Sequence, residues 1–316
     1  MNKDARIFIA GHTGLVGSAV VRRLESDGYG NLIVCPYPEL DLTSQHHVES
    51  FFSREQPEYV FLCAAKVGGI LANRTYPAEF IYQNIMISAN VIHASYQIGV
   101  KKLLNLGSSC IYPKLASQPL HEDYLLTGVL EPTNEPYAIA KISAIKLCHY
   151  YNQQYNTNFI SVMPTNLYGP GDNFNLETSH VMPALIRRFH DAKEQGRPDV
   201  TVWGTGSPRR EFLHVDDLAD ALVYLMRNYD ARDIGEFVNI GTGKDLTIRD
   251  LADLIKGIVE YPGEILWDSS KPDGTPQKLL DLRRIEQLGW KARVGLKEGI
   301  RNTYRWYMEN ISNLKG

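Results

Sequence analysis

A glycine-rich turn between a short apolar run and an amphipathic segment constrains the fold of this chain most strongly. Residues 6–10 are apolar and rich in branched side chains, so they predict a buried strand. The turn Gly11-His12-Thr13-Gly14-Leu15-Val16-Gly17 follows, and apolar residues then recur at helical spacing up to residue 26. A strand, a glycine turn and a helix in this order predict the first unit of a dinucleotide-binding fold.

The first half of the chain continues as an alternation of strands and helices. Strands are predicted at residues 32–34, 59–65, 102–106 and 159–163, and helices at 77–99 and 137–155. This alternation predicts an α/β fold with a doubly wound, parallel, Rossmann-type sheet covered on both faces. Further on, residues 211–215 predict a strand that returns to the core, followed by a helix capped by Asp216.

The chain length of 316 residues favours two hydrophobic cores. We expect a nucleotide-binding domain over 1–165 plus about 211–240. A smaller, discontinuous α+β substrate domain would take about 166–210 and 241–316. The net charge of −3 and the lack of a long basic run argue against a nucleic-acid partner, and the apolar runs are too short to span a membrane. The four cysteines have neither metal-ligand nor disulfide spacing, so we expect no metal site and a cytoplasmic location.

The glycine turn predicts where a dinucleotide binds but leaves the choice between NAD and NADP open. Gly11 permits the tight turn, Gly14 lets the backbone approach a pyrophosphate, and Gly17 lets the helix pack on the strand. The end of the second strand normally supplies an acidic residue for a ribose hydroxyl or an arginine for a 2′-phosphate. Residues 35–38, Cys-Pro-Tyr-Pro, supply neither, and Asp41 further on can instead face the adenine.

Three residues predict carbonyl chemistry. Tyr137 and Lys141 are four residues apart and share a helix face, where the ammonium is expected to lower the pKa of the phenol and to reach the nicotinamide ribose. Ser108 follows the fourth strand, at the sheet edge where α/β active sites lie, and can donate to a substrate oxygen. The alternatives are a solvated helix face for the Tyr–Lys pair and turn capping for Ser108.

Cys110 and His180 are two further titratable candidates. Cys110 shares the loop of Ser108, and a thiol and an imidazole can move protons on the carbons beside a ketone. The alternatives are that Cys110 is a buried small hydrophobic residue and that His180 caps a helix starting near residue 181.

With these residues, the chain resembles the extended short-chain dehydrogenase/reductase family over essentially its whole length. The glycine turn and the Tyr–Lys pair belong to the whole family. The more specific segments are residues 64–70, 107–113, 131–137, 164–170 and 271–276. The resemblance implies a 3,5-epimerase and 4-reductase that converts GDP-4-keto-6-deoxy-D-mannose to GDP-L-fucose, with Cys110 as base and His180 as acid. It also implies a homodimer, in which helices 77–99 and 137–155 can pair with their symmetry mates.

The resemblance further implies which residues bind the two ligands. Besides the glycine turn, Asp41 and Lys141, the cofactor residues are Ala64, Pro164, Asn166, Leu167 and His180. The substrate residues are Arg188, Trp203, Arg210, Asp273 and Lys278, while Arg187 and Arg209 are expected on a solvated surface. NADPH is the implied reductant. Family members often carry arginines where this chain has Thr13, Cys35 and Tyr37, so NADH stays a second option.

Three other functions remain open at this point. The first is an epimerase/reductase of a related GDP-4-keto sugar, a dideoxy sugar or a heptose. The second is a nucleotide-sugar 4-epimerase with tightly bound NAD, which needs neither Cys110 nor His180. The third is a catalytically inactive nucleotide-binding regulator, which has no need of Ser108, Tyr137 and Lys141 together.

Overall fold

The computed structural model describes residues 1–271 and 273–313. Pro272, in the segment 271–276, and residues 314–316, in the expected second domain, lie outside this description. The strands are β1 (Ile7–Ala10), β2 (Leu32–Ile33), β3 (Tyr59–Leu62), β4 (Lys102–Leu106), β5 (Phe159–Pro164), β6 (Asn166–Tyr168), β7 (Asp199–Trp203), β8 (Arg209–His214), β9 (Val238–Ile240), β10 (Asp245–Thr247), β11 (Glu264–Asp268) and β12 (Gln277–Lys278). The helices are α1 (Leu15–Ser26), α2 (Gln45–Glu55), α3 (Ile70–Thr75), α4 (Pro77–Gln97), α5 (Glu135–Tyr155), α6 (Val181–Glu194), α7 (Val215–Asn228), α8 (Ala231–Ile234), α9 (Ile248–Val259), α10 (Arg283–Gln287) and α11 (Leu296–Asn310).

A six-stranded parallel sheet forms the centre of the first half of the chain. Its order is β2-β1-β3-β4-β5-β9, and every neighbouring pair is parallel. Apolar side chains of α1 and α7 cover one face, and those of α2, α4 and α5 cover the other. Burying each large apolar side chain contributes roughly 1.5–3 kcal/mol, so both faces stabilise the sheet. The predicted doubly wound α/β class is confirmed.

The carboxyl ends of the parallel strands meet at one edge of this sheet. The glycine turn follows β1, residues 63–65 follow β3, and Ser108 comes two residues after β4. Chain segments far apart in sequence therefore meet along this edge, where ligands bind in open α/β sheets.

β8 is the central strand of a second, smaller sheet. β8 pairs with β10, β12 and β6, while β7 pairs with β11, and α6, α9 and α11 contribute to a separate apolar core. The strand predicted at residues 211–215 is β8, and Leu213 belongs to the apolar core on one face of the central sheet, in agreement with the expected return to the core. The place beside β5 is taken by β9, and the backbone of β8 is already paired with the strands of the second sheet.

The chain segments that follow β8 also pack in the first core. Helix α7 packs against α1, and Ile285 of α10 belongs to the same apolar cluster. The helix cap differs from the sequence prediction, because the His214 side chain, and not Asp216, caps α7 by accepting the N–H of Asp216 at 3.3 Å. Among residues 1–271 and 273–313, no helix has the length and apolar character needed to cross a membrane.

Candidate active site

The glycine turn has the shape that a dinucleotide needs. Gly11 has φ +84°, and a Cβ there would lie 2.8 Å from the Cα of Ala64. A Cβ on Gly17 would lie 2.1 Å from the Gly11 carbonyl oxygen, so α1 packs directly on the turn. Gly14 begins α1 without a side-chain cap, which leaves the first N–H groups of the helix for an anion. These residues therefore fit the pyrophosphate of a dinucleotide.

The other expected cofactor residues lie along the same sheet edge. Ala64 contacts the glycine turn, Pro164 ends β5, and Asn166 and Leu167 lie in β6. The Asn166 side-chain amide donates to the Glu211 carbonyl at 2.8 Å, which fixes its orientation.

Asp41 is held by its own turn. Its Oδ1 accepts the hydroxyl of Thr43 at 2.7 Å and the backbone N–H of Thr43 at 2.9 Å. These hydrogen bonds keep the pKa of Asp41 below its usual range. Asp41 therefore stays ionised.

Lys141 reaches the active-site edge from α5. Its Nζ donates to the Leu106 carbonyl at 2.7 Å and lies 5.7 Å from the ring centroid of Tyr137. Burial lowers the pKa of Lys141 to about 8, although the thiols of Cys110 and Cys63 oppose this shift. The ammonium is therefore placed between the end of β4 and the phenol.

The pKa of Tyr137 differs from the sequence expectation. Burial raises it above its ordinary value, Cys110 raises it further, and the Ser108 hydroxyl opposes both. The expected net lowering of this pKa is wrong in this structure, because burial of the phenol has the largest effect. Tyr137 therefore keeps its proton until a basic oxygen reaches it, as a general acid must.

Cys110 lies in the 3-10 turn Ser109–Ile111 and is 6% exposed. Burial raises the pKa of the thiol, while Lys278, the Ser108 hydroxyl and Lys141 lower it. The residue lines a small cavity together with Glu131 and Lys278. Cys110 is thus buried, but it faces a cavity beside the reductive residues.

His180 begins α6, yet its side chain makes no capping hydrogen bond, so helix capping does not explain the imidazole. The preceding loop is held against residues 68–69, where the Gly69 N–H donates to the Thr178 carbonyl at 2.9 Å. The His180 side chain remains accessible to solvent, while the surrounding protein removes part of its hydration. This desolvation and the Lys278 charge lower the pKa of His180.

Two expected substrate residues form an exposed platform. Trp203 is 56% exposed, and the Arg188 guanidinium lies 5.9 Å from its ring centroid. The Lys271 ammonium lies 5.6 Å from the same ring, a cation that the sequence analysis did not assign. An exposed indole flanked by cations suits a flat base and its phosphates.

Arg210 and Lys278 come together on paired strands. β12 runs parallel to β8 with Lys278 opposite Arg210, and Arg210 faces the carboxylates of Asp273 and Glu131. Arg209 instead pairs with Asp245 at 2.7 Å, and Arg187 pairs with Asp191 at 3.5 Å. One arginine of each pair is therefore engaged in a local ion pair.

Asp273 is used within the protein. One of its carboxylate oxygens accepts the N–H of Thr205 at 2.7 Å, and the other accepts the Thr205 hydroxyl at 2.8 Å. The carboxylate also lies against Gly204, where a Cβ would be 2.4 Å from it. Asp273 thus fixes the turn that follows the Trp203 platform.

Glu131 is buried in the site, and the sequence alone predicted no role for it. It is 8% exposed and pairs with Lys114 at 2.9 Å. The only sequence signal was its position in the segment 131–137, which leads into Tyr137.

Arg210→Ala is expected to raise KM for a GDP-sugar by about 10-fold or more with a smaller change in kcat, because a charge-assisted phosphate contact contributes about 1.5–3 kcal/mol. The measurement is steady-state kinetics with varied sugar nucleotide. Arg209→Ala is the matched control, since that guanidinium pairs with Asp245. Equal KM values for the two variants would contradict a substrate role for Arg210.

The chain is similar to known proteins over almost its whole length. Residues 7–241 match the family described as "NAD dependent epimerase/dehydratase family". GDP-L-fucose synthase 1 of Arabidopsis thaliana is 59% identical over 312 residues, covering 99% of this chain and 96% of the relative.

Two solved structures share the fold along almost the whole chain. A GDP-6-OMe-4-keto-L-xylo-heptose reductase from C. jejuni is 41% identical, with a TM-score of 0.95 and coverage of 98% of this chain and 99% of that one. A GDP-L-fucose synthetase from Naegleria fowleri bound to NADP is 30% identical, with a TM-score of 0.92 and coverage of 100% of this chain and 96% of that one.

Proposed function

The chain belongs to the NAD dependent epimerase/dehydratase family, and on this premise we propose that it is the enzyme that converts GDP-4-keto-6-deoxy-D-mannose to GDP-L-fucose. One observation carries the proposal beyond the family. Cys110 lies among Ser108, Tyr137 and Lys141, where its thiol and their charges influence one another. A 4-epimerase or a simple reductase has no use for a titratable thiol at this point.

The first stage of the proposed reaction inverts C3 and C5. The C4 ketone acidifies the hydrogens on both neighbouring carbons, and the electrons left behind form an enolate. Ser108 and Tyr137 donate hydrogen bonds to that oxygen and stabilise its charge. Cys110 removes the proton from one face and His180 returns a proton to the opposite face, which inverts one carbon. The Cys110 thiol then loses its proton to solvent and His180 regains one from solvent, so the pair is reset before the other carbon is inverted.

The second stage reduces the same ketone. A reduced nicotinamide dinucleotide, when bound, supplies the hydride for C4. Tyr137 then gives its proton to the C4 oxygen, which becomes the hydroxyl. Lys141 holds a positive charge beside the phenol and favours the transfer, because a nearby cation stabilises the phenolate that remains.

We propose NADPH as the reductant, with NADH as the alternative. The NADP-bound relative and the family resemblance support NADPH. The end of β2 gives weaker support for NADPH. The Cys35 thiol there is near the carboxylate of Glu39 as well as the guanidinium of Arg54, and Arg54 is already paired with Glu55 at 2.8 Å. Backbone N–H groups and the Thr13 hydroxyl would then hold the 2′-phosphate.

The test is to incubate the purified protein with GDP-4-keto-6-deoxy-D-mannose and either dinucleotide. We expect loss of NADPH absorbance, GDP-L-fucose by NMR, and kcat/KM higher with NADPH than with NADH. Titration of the protein's fluorescence with each dinucleotide checks the preference without turnover. A kcat/KM ratio at or above one for NADH over NADPH would overturn the cofactor choice, and an absence of reductant loss would overturn the reaction.

The comparisons favour the fucose precursor over the related heptose substrates. Identity is 59% to a GDP-L-fucose synthase and 41% to a heptose reductase.

A homodimer paired through α4 and α5 is also part of the proposal. Tyr82 and Tyr150 on these helices are exposed and supply apolar surface for it. The proposed cytoplasmic location agrees with the four cysteines being free thiols.

A further inference from the structure

Lys278 occupies a place that a phosphate-binding role does not explain. It lines the same cavity as Cys110 and Glu131. Its charge is the largest electrostatic influence on the thiol of Cys110 and also on the imidazole of His180. One cation therefore faces both members of the proposed proton-transfer pair.

The backbone around Lys278 is fixed before any substrate arrives. The Leu279 N–H donates to the side chain of Gln118 at 2.9 Å, and the Leu280 N–H donates to the buried carboxylate of Glu211 at 2.9 Å. β12 also pairs with β8 in register. A side chain on so restrained a backbone is preorganised, which is what an electrostatic role requires.

The charged and titratable groups around the pair come from several elements. Cys110 is faced by Lys278 of β12, Lys141 and Tyr137 of α5, and the Ser108 hydroxyl. Lys278 is faced by Cys110, Arg210 of β8, Glu131 and His180. Arg210 and burial disfavour the ammonium, whereas Cys110 and Glu131 favour it.

We propose that Lys278 is a positioning residue for proton transfer, whose ammonium at the cavity wall stabilises the Cys110 thiolate and makes the His180 imidazolium a stronger proton donor. The role rests on the proposed function, because only an enzyme that moves protons on carbon needs a thiolate here. No bond to Lys278 forms or breaks. It raises the fraction of Cys110 that is ready to accept the substrate proton.

The sign of the effect is the same for both partners. A nearby cation favours the thiolate over the thiol and the neutral imidazole over the imidazolium, so it lowers both pKa values. Lys278→Met removes that cation, so both pKa values should rise. We expect a rise of about 1 pH unit for each, the lower end of the range for a neighbouring charge. A role confined to holding phosphate would move neither value in the substrate-free protein.

The experiment measures Cys110 and His180 without substrate. Iodoacetamide alkylation of Cys110, followed by mass spectrometry of its peptide, gives the thiolate midpoint against pH. NMR titration of the His180 imidazole gives the second midpoint. In Lys278→Met both midpoints should lie about 1 pH unit higher than in the wild type. In Lys278→Arg, which keeps the charge, both midpoints should stay near the wild-type values.

Lys114→Met is the matched control, because Lys114 lines the same cavity but pairs with Glu131. Its midpoints should match those of the wild type. Unchanged midpoints in Lys278→Met, or equal shifts in Lys114→Met, would overturn the proposal. Because these measurements use no substrate, they separate this proposal from the proposed function, which fails only if GDP-4-keto-6-deoxy-D-mannose is not converted.

Discussion

Tyr137→Phe is expected to slow reduction of the C4 ketone by about 10²–10⁴-fold, the usual contribution of a positioned general acid. The phenol of Tyr137 holds its proton at neutral pH because burial raises its pKa, and the Lys141 ammonium lies 5.7 Å from its ring centroid. Phenylalanine keeps the ring that packs edge-on against Phe80, with ring centroids 6.2 Å apart, and removes only the hydroxyl. The measurement is single-turnover oxidation of the reduced dinucleotide.

The matched control for this variant is Tyr150→Phe, on the same helix but 57% exposed. It should reduce the ketone at the wild-type rate. Dinucleotide affinity, measured by fluorescence titration, should be nearly unchanged in both variants. A reduction rate in Tyr137→Phe within about threefold of wild type would remove Tyr137 from the acid role, since such a difference is worth well under 1.4 kcal/mol.

Cys110→Ser should abolish proton exchange at C3 and C5, with a rate loss of about 10²-fold or more, while the reductive residues remain. A serine hydroxyl occupies nearly the same space as the thiol, but its far higher pKa leaves no anion to act as base. Incubation in deuterated water with the oxidised dinucleotide, followed by NMR of the recovered 4-keto sugar, measures exchange separately from hydride transfer.

Cys148→Ala provides the control, because Cys148 is a buried thiol on α5 within the apolar core that covers one face of the central sheet. Exchange should proceed in it as in wild type. Reduction by Cys110→Ser of a substrate already inverted at C3 and C5 should stay within about tenfold of wild type, because Ser108, Tyr137 and Lys141 are intact. Exchange at the wild-type rate in Cys110→Ser would show that another group is the base.

The first half of the fold could be predicted from the sequence because each of its strands and helices is marked by a pattern within a short stretch of chain. The run at residues 6–10, the glycine turn and the helical spacing after it act within a single strand–turn–helix unit. The sequence predicted the strand of residues 211–215 but not the sheet that it joins, since strand pairing depends on partners such as β10 and β12 that lie far away in sequence. The pKa of Tyr137 was predicted in the wrong direction for a related reason, because exclusion of water is a property of the packed site and not of the Tyr–Lys spacing.

The sequence by itself determined the α/β class and predicted the place of the dinucleotide and the residue types of the proposed active site. Each of these follows from short-range periodicity or from a motif whose geometry is local. Only the tertiary structure decided that Ile92 and Ile145 are buried in the core, that Asp273 fixes a turn, and that Lys278 faces Cys110 and His180. Residues 110, 180 and 278 are far apart along the chain, and their electrostatic coupling arises only when packing brings them close together.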